Sequence, residues 1–259
     1  MAKSLTISLI QTDNVWENID LNLKNLTTKI EQIREKTDMI ILPELFTTGF
    51  TMEAAGVAET MDGVGVQWML DTSNKKKCVV LGSLLIAESG DYFNRLIVAF
   101  PDGNIKYYDK RHLFSFAGED KVFKAGKDRM TFEYKGFKVC PLICYDLRFP
   151  VWARNTEEID LLIFVANWPN ARMMAWDTLL KARSIENLCY VVGLNRVGID
   201  NNQLVYTGHS AVYDAMGGTL LDFEPGKEAI GSVSIDMDHI EQTRRQFRFL
   251  EDRDHFVIN

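Results

Sequence analysis

The sequence predicts an α/β protein built as a single domain, residues 1–259. Short apolar runs such as DLLIFVA at 160–166 have the length of buried strands and are bounded by turn residues. Residues 18–36 carry apolar side chains at three- and four-residue steps, the spacing of an amphipathic helix. A hydrophobic content of 46% over 259 residues is enough for one large core, and no linker or low-complexity segment divides the chain.

The first half of the chain is rich in predicted strands. A strand at 4–11 precedes the helix at 18–36, and a second helix is predicted at 65–75. Further strands are predicted at 38–42, 78–86, 93–100 and 105–109. The last two are joined by Pro-Asp-Gly-Asn at 101–104, where turn chemistry favours these residue types. A loop is predicted at 115–127.

The second half repeats this alternation. A hairpin is predicted with strands at 130–134 and 137–143. Helices are predicted at 150–155, where Pro150 suits a first helical turn, at 175–187 and at 238–245. The helix at 175–187 is expected to face inward with Trp176, Leu179, Leu180 and Ile185. Further strands are predicted at 160–166, 189–195, 209–213, 219–223 and 229–235. Both halves place strand pairs after a strand–helix–strand block, which suggests a pseudo-repeated architecture.

Charge and cysteine usage argue against several classes of function. A net charge of −7, from 29 basic and 36 acidic residues, argues against a nucleic-acid partner. The four cysteines form no zinc-binding pattern and fit a reduced, cytoplasmic setting. The four histidines are scattered, so we predict no metal and no cofactor. The N-terminal apolar run is too short for a signal peptide, and no run is long enough to cross a bilayer.

Cys144 is the candidate nucleophile. It lies where the apolar strand 137–143 gives way to the polar run Tyr145-Asp146. A turn at a strand's carboxyl end exposes the sulfur, and the peptide N–H that follows can face a developing oxyanion. Cys140 lies within the apolar run and is interpreted as a small buried hydrophobe.

Two other ionisable side chains share this structural position. Glu44 and Lys110 each follow a predicted strand, and the carboxyl ends of strands line the ligand crevice of α/β sheets. Glu44 is the candidate general base, and Lys110 with the peptide N–H of Tyr145 would stabilise the oxyanion. Together with Cys144, these groups would hydrolyse an amide through a thioester, without a metal. Glu119 is a weaker candidate for a second carboxylate.

Other interpretations of these residues stay open. Glu44 could cap a helix and Lys110 could belong to a basic surface turn, because charged residues are mostly solvated. His112 or His209 could instead form a Cys–His pair with Cys144, as in papain-like hydrolases.

The motifs around these residues resemble the nitrilase, or carbon–nitrogen hydrolase, superfamily. They are LPELF with Glu44, YDKRHLF with Lys110, GED with Glu119 and LICYDLRFP with Cys144. ANWP, ARSIEN and CYVVGLNRVG also resemble the family, so that the likeness spans nearly the whole chain. It implies a four-layer α-β-β-α sandwich, a Glu44–Lys110–Cys144 triad supported by Glu119, and homodimers or larger assemblies. The tail 246–259 is a candidate for exchange at a subunit interface, although packing on its own chain is an equal alternative.

Within the superfamily, the segments TTGFTMEAA and CYDLRFPVWARN resemble the omega-amidase branch. The resemblance implies hydrolysis of 2-oxoglutaramate and 2-oxosuccinamate to the 2-oxo acid and ammonia. An anionic substrate needs a cation, for which Arg172 is the first candidate and Arg148 the second. Arg148 could instead form a structural ion pair with Asp146. The candidate aromatic walls of the pocket are Phe46, Phe50, Phe114 and Trp168.

The same triad would serve an N-carbamoyl amidase, an aliphatic amidase or a nitrilase, because the thiolate attacks each of these carbons in the same way. A catalytically silent scaffold of the same fold is the non-enzymatic alternative.

Overall fold

The computed structural model describes residues 3–257 of the chain. Within this range the strands are β1 Ser4–Gln11, β2 Met39–Ile41, β3 Val79–Glu88, β4 Asp91–Ala99, β5 Ile105–Asp109, β6 Phe132–Tyr134, β7 Phe137–Ile143, β8 Leu161–Ala166, β9 Tyr190–Asn195, β10 Val197–Ile199, β11 Val205–Thr207, β12 Ala211–Tyr213, β13 Thr219–Asp222 and β14 Ala229–Asp236. The α-helices are α1 Ile19–Glu31, α2 Ala54–Val57, α3 Val64–Lys76, α4 Met173–Asn187 and α5 Met237–Gln246. None of these helices combines the length and the apolar character that crossing a bilayer requires.

Two six-stranded sheets share one plan. The first has the order β14-β1-β2-β3-β4-β5 and the second β13-β12-β9-β8-β7-β6. In each sheet the central three strands are parallel, β1-β2-β3 and β9-β8-β7, and the outer strands pair antiparallel. The structure therefore shows the two similar blocks that the sequence pattern suggested.

The side chains of each strand alternate between two buried layers. Leu5, Ile7 and Leu9 of β1 belong to one core with the second sheet, which fills the space between the sheets. Ile10 belongs instead to a second core, with Leu26 of α1 and other side chains of α1 and α3. Helix α4 packs on the second sheet, where Trp176 and Leu180 are buried. The layers are α-β-β-α, which confirms the predicted sandwich.

Several local predictions are wrong. The residues from Pro150 form turns rather than a helix, because the chain coils earlier, in a 3-10 helix at Cys144–Arg148. On α4, Ile185 is 43% exposed and does not face inward. The strand predicted at 209–213 begins at Ala211, since Gly208 and His209 adopt positive φ. The hairpin β10–β11 and the short α2 were not predicted.

Candidate active site

The fold brings Glu44, Lys110 and Cys144 together. Lys110 and Cys144 directly follow β5 and β7, and Glu44 lies three residues beyond the end of β2. Lys110 Nζ donates to Glu44 Oε1 at 2.9 Å, and both side chains are fully buried. The thiol of Cys144 lies within the electrostatic reach of both Glu44 and Lys110. The three side chains predicted from strand-end positions therefore occupy one site between the sheets.

Glu119 completes the charged cluster. Lys110 Nζ donates to Glu119 Oε1 at 3.0 Å and to Oε2 at 2.9 Å, and the peptide N–H of Phe114 donates to Oε2 at 2.6 Å. Two buried carboxylates thus share one ammonium. Residue spacing alone makes Glu119 the weaker candidate for a second carboxylate, and its full burial is a property of the tertiary structure.

The electrostatics of the cluster fix the resting protonation of Lys110. Burial alone would lower the pKa of Lys110, but the negative charges of Glu119 and Glu44 raise it above its ordinary value. Burial also raises the pKa of Glu119, against the attraction of Lys110. Lys110 is therefore a permanent cation and suits charge stabilisation rather than proton transfer.

The thiol of Cys144 is neutral in the resting site. Burial, and then the negative charge of Glu44, raise its pKa well above the ordinary value, while Lys110 lowers it. A proton acceptor is consequently needed when the thiol attacks a substrate, and the neighbouring carboxylate of Glu44 is placed to serve.

A strained turn holds Cys144. Its φ is +44°, a left-handed conformation that residues other than glycine seldom adopt, at the junction between β7 and the 3-10 helix. Asp146 stabilises this turn, because its Oδ2 accepts from the N–H of Ile143 at 3.0 Å and from the hydroxyl of Tyr108 at 2.8 Å. The peptide N–H of Tyr145 lies in the first turn of the 3-10 helix, where N–H groups have no partner within the helix.

Asn167, which follows β8 of the second sheet, donates hydrogen bonds to Glu44. Its N–H donates to Glu44 Oε2 at 2.7 Å, and its side-chain amide donates to the Glu44 carbonyl at 2.8 Å. The backbone carbonyl oxygen of Asn167 lies 3.8 Å from Cys144 Sγ. Asn167 lies in the family-like ANWP segment, but the sequence assigns it no role, and the buried Asn94 lies in the middle of a strand without a motif of its own.

The cluster opens into a pocket of about 350 Å³. Its lining residues are Phe50, Met52, Lys110, Phe114, Ala117, Cys144, Tyr145, Arg148, Asn167, Trp168, Pro169, Arg172, Asp200, Asn202, Leu204 and Tyr206. Phe50, Phe114 and Trp168 are walls as predicted, whereas Phe46 is not, because it is buried in the core beneath α1 and α3. The β10–β11 connection supplies the wall around Tyr206 that the sequence did not predict.

Both candidate arginines line the pocket. The guanidinium of Arg172 lies 4.9 Å from the ring centroid of Phe114, and that of Arg148 lies 4.9 Å from the ring of Trp168. Among residues 3–257, no carboxylate pairs with either guanidinium. The alternative ion pair between Asp146 and Arg148 is wrong, since Asp146 Oδ1 accepts instead from the N–H and ring Nδ1 of His112.

The two histidines considered as partners of the thiol have other contacts. His112 contacts Asp146 through Nδ1 at 2.7 Å and stacks on Phe149, and His209 contacts Asp177 at 3.1 Å. Neither lines the pocket. Within residues 3–257, no cluster of three histidine, cysteine or acidic side chains is arranged to hold a metal ion.

We expect iodoacetamide to alkylate Cys144 at least about 100-fold faster than any other cysteine of the native protein. Cys144 is 9% exposed and lines the pocket, whereas Cys78, Cys140 and Cys189 are fully buried. The rate should rise with pH because the resting thiol is neutral. Mass spectrometry of tryptic peptides after timed labelling measures it, and denatured protein, in which all four should react alike, is the control. Equal labelling in the native protein would contradict the structure.

Nearly the whole chain matches one protein family. The model of the carbon–nitrogen hydrolase family matches residues 6–245. This chain belongs to the carbon–nitrogen hydrolase family. It is 41% identical to the omega-amidase YafV of Yersinia enterocolitica, over 98% of this chain and 99% of that protein. It is 34% identical to the 2-oxoglutaramate amidase of Bacillus subtilis, over 95% of this chain and 96% of that protein.

A solved structure agrees with the fold of this carbon–nitrogen hydrolase. A CN-hydrolase superfamily protein from Xanthomonas campestris superposes with a TM-score of 0.96 at 42% identity, over 99% of each chain. That protein carries an arsenic adduct in its active site. Family membership makes the present protein a hydrolase of carbon–nitrogen bonds other than peptide bonds, with a small-molecule substrate and water as reactants.

Proposed function

We propose that this carbon–nitrogen hydrolase is an omega-amidase, which cleaves the terminal amide of 2-oxoglutaramate, and of 2-oxosuccinamate, to the 2-oxo acid and ammonia. The observation that carries the proposal is one pocket holding a thiol beside a carboxylate and an ammonium, with two unpaired guanidinium groups on its walls. The names of the Yersinia and Bacillus relatives support the same substrate class.

The first half of the reaction forms a thioester. Glu44 accepts the thiol proton as Cys144 Sγ attacks the amide carbon, and Lys110 with the N–H of Tyr145 stabilises the oxyanion. The tetrahedral intermediate then collapses: the C–N bond breaks, Glu44 returns the proton to the departing nitrogen, and ammonia leaves. The acyl group remains on sulfur.

The second half consumes one water. Glu44, ionised again, takes a proton from water, whose oxygen attacks the thioester carbonyl. The C–S bond breaks, the thiolate recovers a proton and the 2-oxo acid departs. Throughout, Glu119 keeps Lys110 charged and fixed in place, because both of its oxygens accept from Nζ.

The arginines are proposed to bind the far end of the substrate. Arg172 is the first candidate for its carboxylate and Arg148 the second, because guanidinium groups pair with carboxylates in bidentate geometry. Phe114 and Trp168 hold them by stacking. A short acid whose carboxylate is bound by one of these cations then presents an amide at its other end to Cys144.

Replacing Arg172 with Met is expected to raise KM for 2-oxoglutaramate about 30-fold or more, because a charge-assisted hydrogen-bonded pair is lost from a partly buried site. The turnover number kcat should change much less, since the arginine is remote from the reacting carbon. Arg148→Met is the second variant, and Arg245→Met, at an exposed arginine of α5, is the matched control. An unchanged KM in both pocket variants would remove the arginines from substrate binding.

The substrate assignment is tested with a panel assayed by ammonia release. Its members are 2-oxoglutaramate, 2-oxosuccinamate, glutamine, an N-carbamoyl amino acid, an aliphatic amide and an aliphatic nitrile. We expect kcat/KM to be highest for the two 2-oxo acid amides. A preference for the carbamoyl compound or the nitrile would move the protein to another activity of the family, and no turnover of any member would favour a silent scaffold.

We also propose that residues 1–259 act as one domain in a cytoplasmic homodimer. The four cysteines are free in the structure, which suits a reducing compartment. In the tail, Phe249 and Val257 are 52% and 86% exposed, apolar surface that a second copy would cover. Analytical ultracentrifugation of the full chain and of a chain ending at residue 246 tests the dimer and the role of the tail. The full chain should sediment as a dimer, and the shortened chain should associate more weakly.

A further inference from the structure

Asn94 stands in the middle of β4, beneath the charged cluster and outside the pocket wall. Its side chain is fully buried. The amide nitrogen Nδ2 donates to Glu44 Oε1 at 2.8 Å and to Glu119 Oε1 at 3.2 Å. The same two oxygens also accept from Lys110 Nζ, at 2.9 Å and 3.0 Å. One oxygen of Glu44 and one oxygen of Glu119 are therefore bridged twice, by the charged ammonium of Lys110 and by the neutral amide of Asn94.

The orientation of this amide is dictated by its neighbours. Ionised carboxylates only accept hydrogen bonds, so the nitrogen rather than the oxygen of Asn94 must face them. The amide oxygen Oδ1 is left buried without a hydrogen-bond partner. Most buried acceptor atoms in native proteins have a hydrogen-bond partner, so an unpaired one calls for an explanation.

Asn94 holds Lys110 at its other end as well. The backbone carbonyl of Asn94 accepts from the N–H of Lys110 at 3.0 Å. One residue thus fixes the backbone of the cation and both anions that flank its ammonium. Bringing two buried carboxylates against one ammonium leaves a net negative charge, which further hydrogen-bond donors must stabilise.

We infer that Asn94 is a positioning residue, whose amide bridges Glu44 and Glu119 around Lys110 and keeps the Glu44 carboxylate aimed at the thiol. The inference rests on the proposed role of Glu44 as general base. Two donors on one oxygen fix the orientation of the Glu44 carboxylate, so that losing the Asn94 donor leaves this carboxylate free to turn away from Cys144. The groups that face Asn94 in this cluster are Glu44, Lys110 and Glu119, with Cys144 beyond Glu44.

Asn94→Leu removes the donor and keeps the number of side-chain heavy atoms. We expect kcat to fall about 100-fold with KM within about twofold, because Asn94 does not line the pocket. Alkylation of Cys144 by iodoacetamide should also slow about tenfold, since a misplaced carboxylate accepts the thiol proton less readily. Asn155→Leu is the matched control: Asn155 is also fully buried and hydrogen-bonded, to Ile159 and Asn187 rather than to the cluster. Its kcat and its alkylation rate should equal those of the wild type.

Asn94→Asp distinguishes positioning from simple packing. While the introduced carboxyl group is protonated it can donate to one neighbour, and once ionised it repels both. The Asn94→Asp variant should therefore keep part of its activity at low pH and lose it as pH rises. Its pH–rate profile should show a descending limb at a lower pH than that of the wild type. This variant also keeps the test informative if Asn94→Leu fails to fold, which thermal unfolding will report.

A second measurement separates this inference from the substrate assignment. The rate of Cys144 alkylation by iodoacetamide needs no substrate, and it should fall in Asn94→Leu. If no amide of the panel is hydrolysed, the substrate assignment fails while slower alkylation still supports Asn94. Wild-type rates of alkylation and turnover in a folded Asn94→Leu protein would overturn the inference.

Discussion

Replacing Cys144 with Ala is expected to lower kcat for amide hydrolysis by at least about 10⁴-fold, because no other nucleophile in the pocket can form the acyl intermediate. The side chain lines the pocket, and its Sγ donates one long hydrogen bond, to the backbone carbonyl of Asn167 at 3.8 Å. Removing one sulfur at the pocket floor should therefore leave the fold intact. Ammonia release, with intact-mass spectrometry for the missing acyl adduct, measures the effect.

Cys189→Ala is the matched control. Cys189 lies directly before β9, is fully buried and does not line the pocket, so a substrate cannot reach its thiol. Its kcat should stay within about twofold of the wild type. Substantial turnover by Cys144→Ala, with a normal melting temperature, would show that the reaction proceeds without a covalent cysteine intermediate.

Glu44→Gln is expected to lower kcat about 10³-fold, since general-base catalysis contributes about 10² to 10⁴ and Glu44 serves both half-reactions. The substitution preserves size, and Lys110 keeps both oxygens of Glu119 as partners. The free energy of unfolding should change by no more than about 2 kcal/mol, because one charge leaves a cluster that holds two anions and one cation.

A half-buried carboxylate elsewhere provides the control for Glu44→Gln. Glu59 accepts from the N–H of Gly65 at 2.6 Å and lies outside the pocket, so that Glu59→Gln should leave kcat near the wild-type value. Pre-steady-state kinetics adds a finer test, because loss of the base should remove both rapid acylation and deacylation. A Glu44→Gln protein within tenfold of wild-type kcat would reassign the base to another group.

The position of the triad could be predicted from the sequence because it depends on local signals. Glu44 and Cys144 each follow a short apolar run that ends in polar residues, the pattern of a buried strand, and Lys110 follows the predicted strand at 105–109. The carboxyl ends of strands line the ligand crevice of an α/β fold, which brings the residues that follow them into one site. The family motifs point to the same residues.

Other features required three-dimensional contacts that no local pattern encodes. The burial of Glu119 depends on a 3-10 turn folding beneath Lys110, and the pairing of Asp146 with His112 rather than Arg148 depends on the segment after β5 packing against the turn after β7. The helix predicted from Pro150 failed because the carboxylate of Asp146 caps the turn at Cys144, and so the chain coils before the proline.

The sequence by itself determined the α/β class, the strand ends and the candidates for nucleophile, base and cation, because periodicity and turn chemistry act over a few residues. Only the tertiary structure decided how these groups are charged and held. The protonation of Lys110, the neutral thiol of Cys144, the double bridge made by Asn94 and the hydrogen bond from Asn167 to Glu44 arise from burial and from partners up to 123 residues apart in the chain, where proximity depends on packing rather than on sequence spacing.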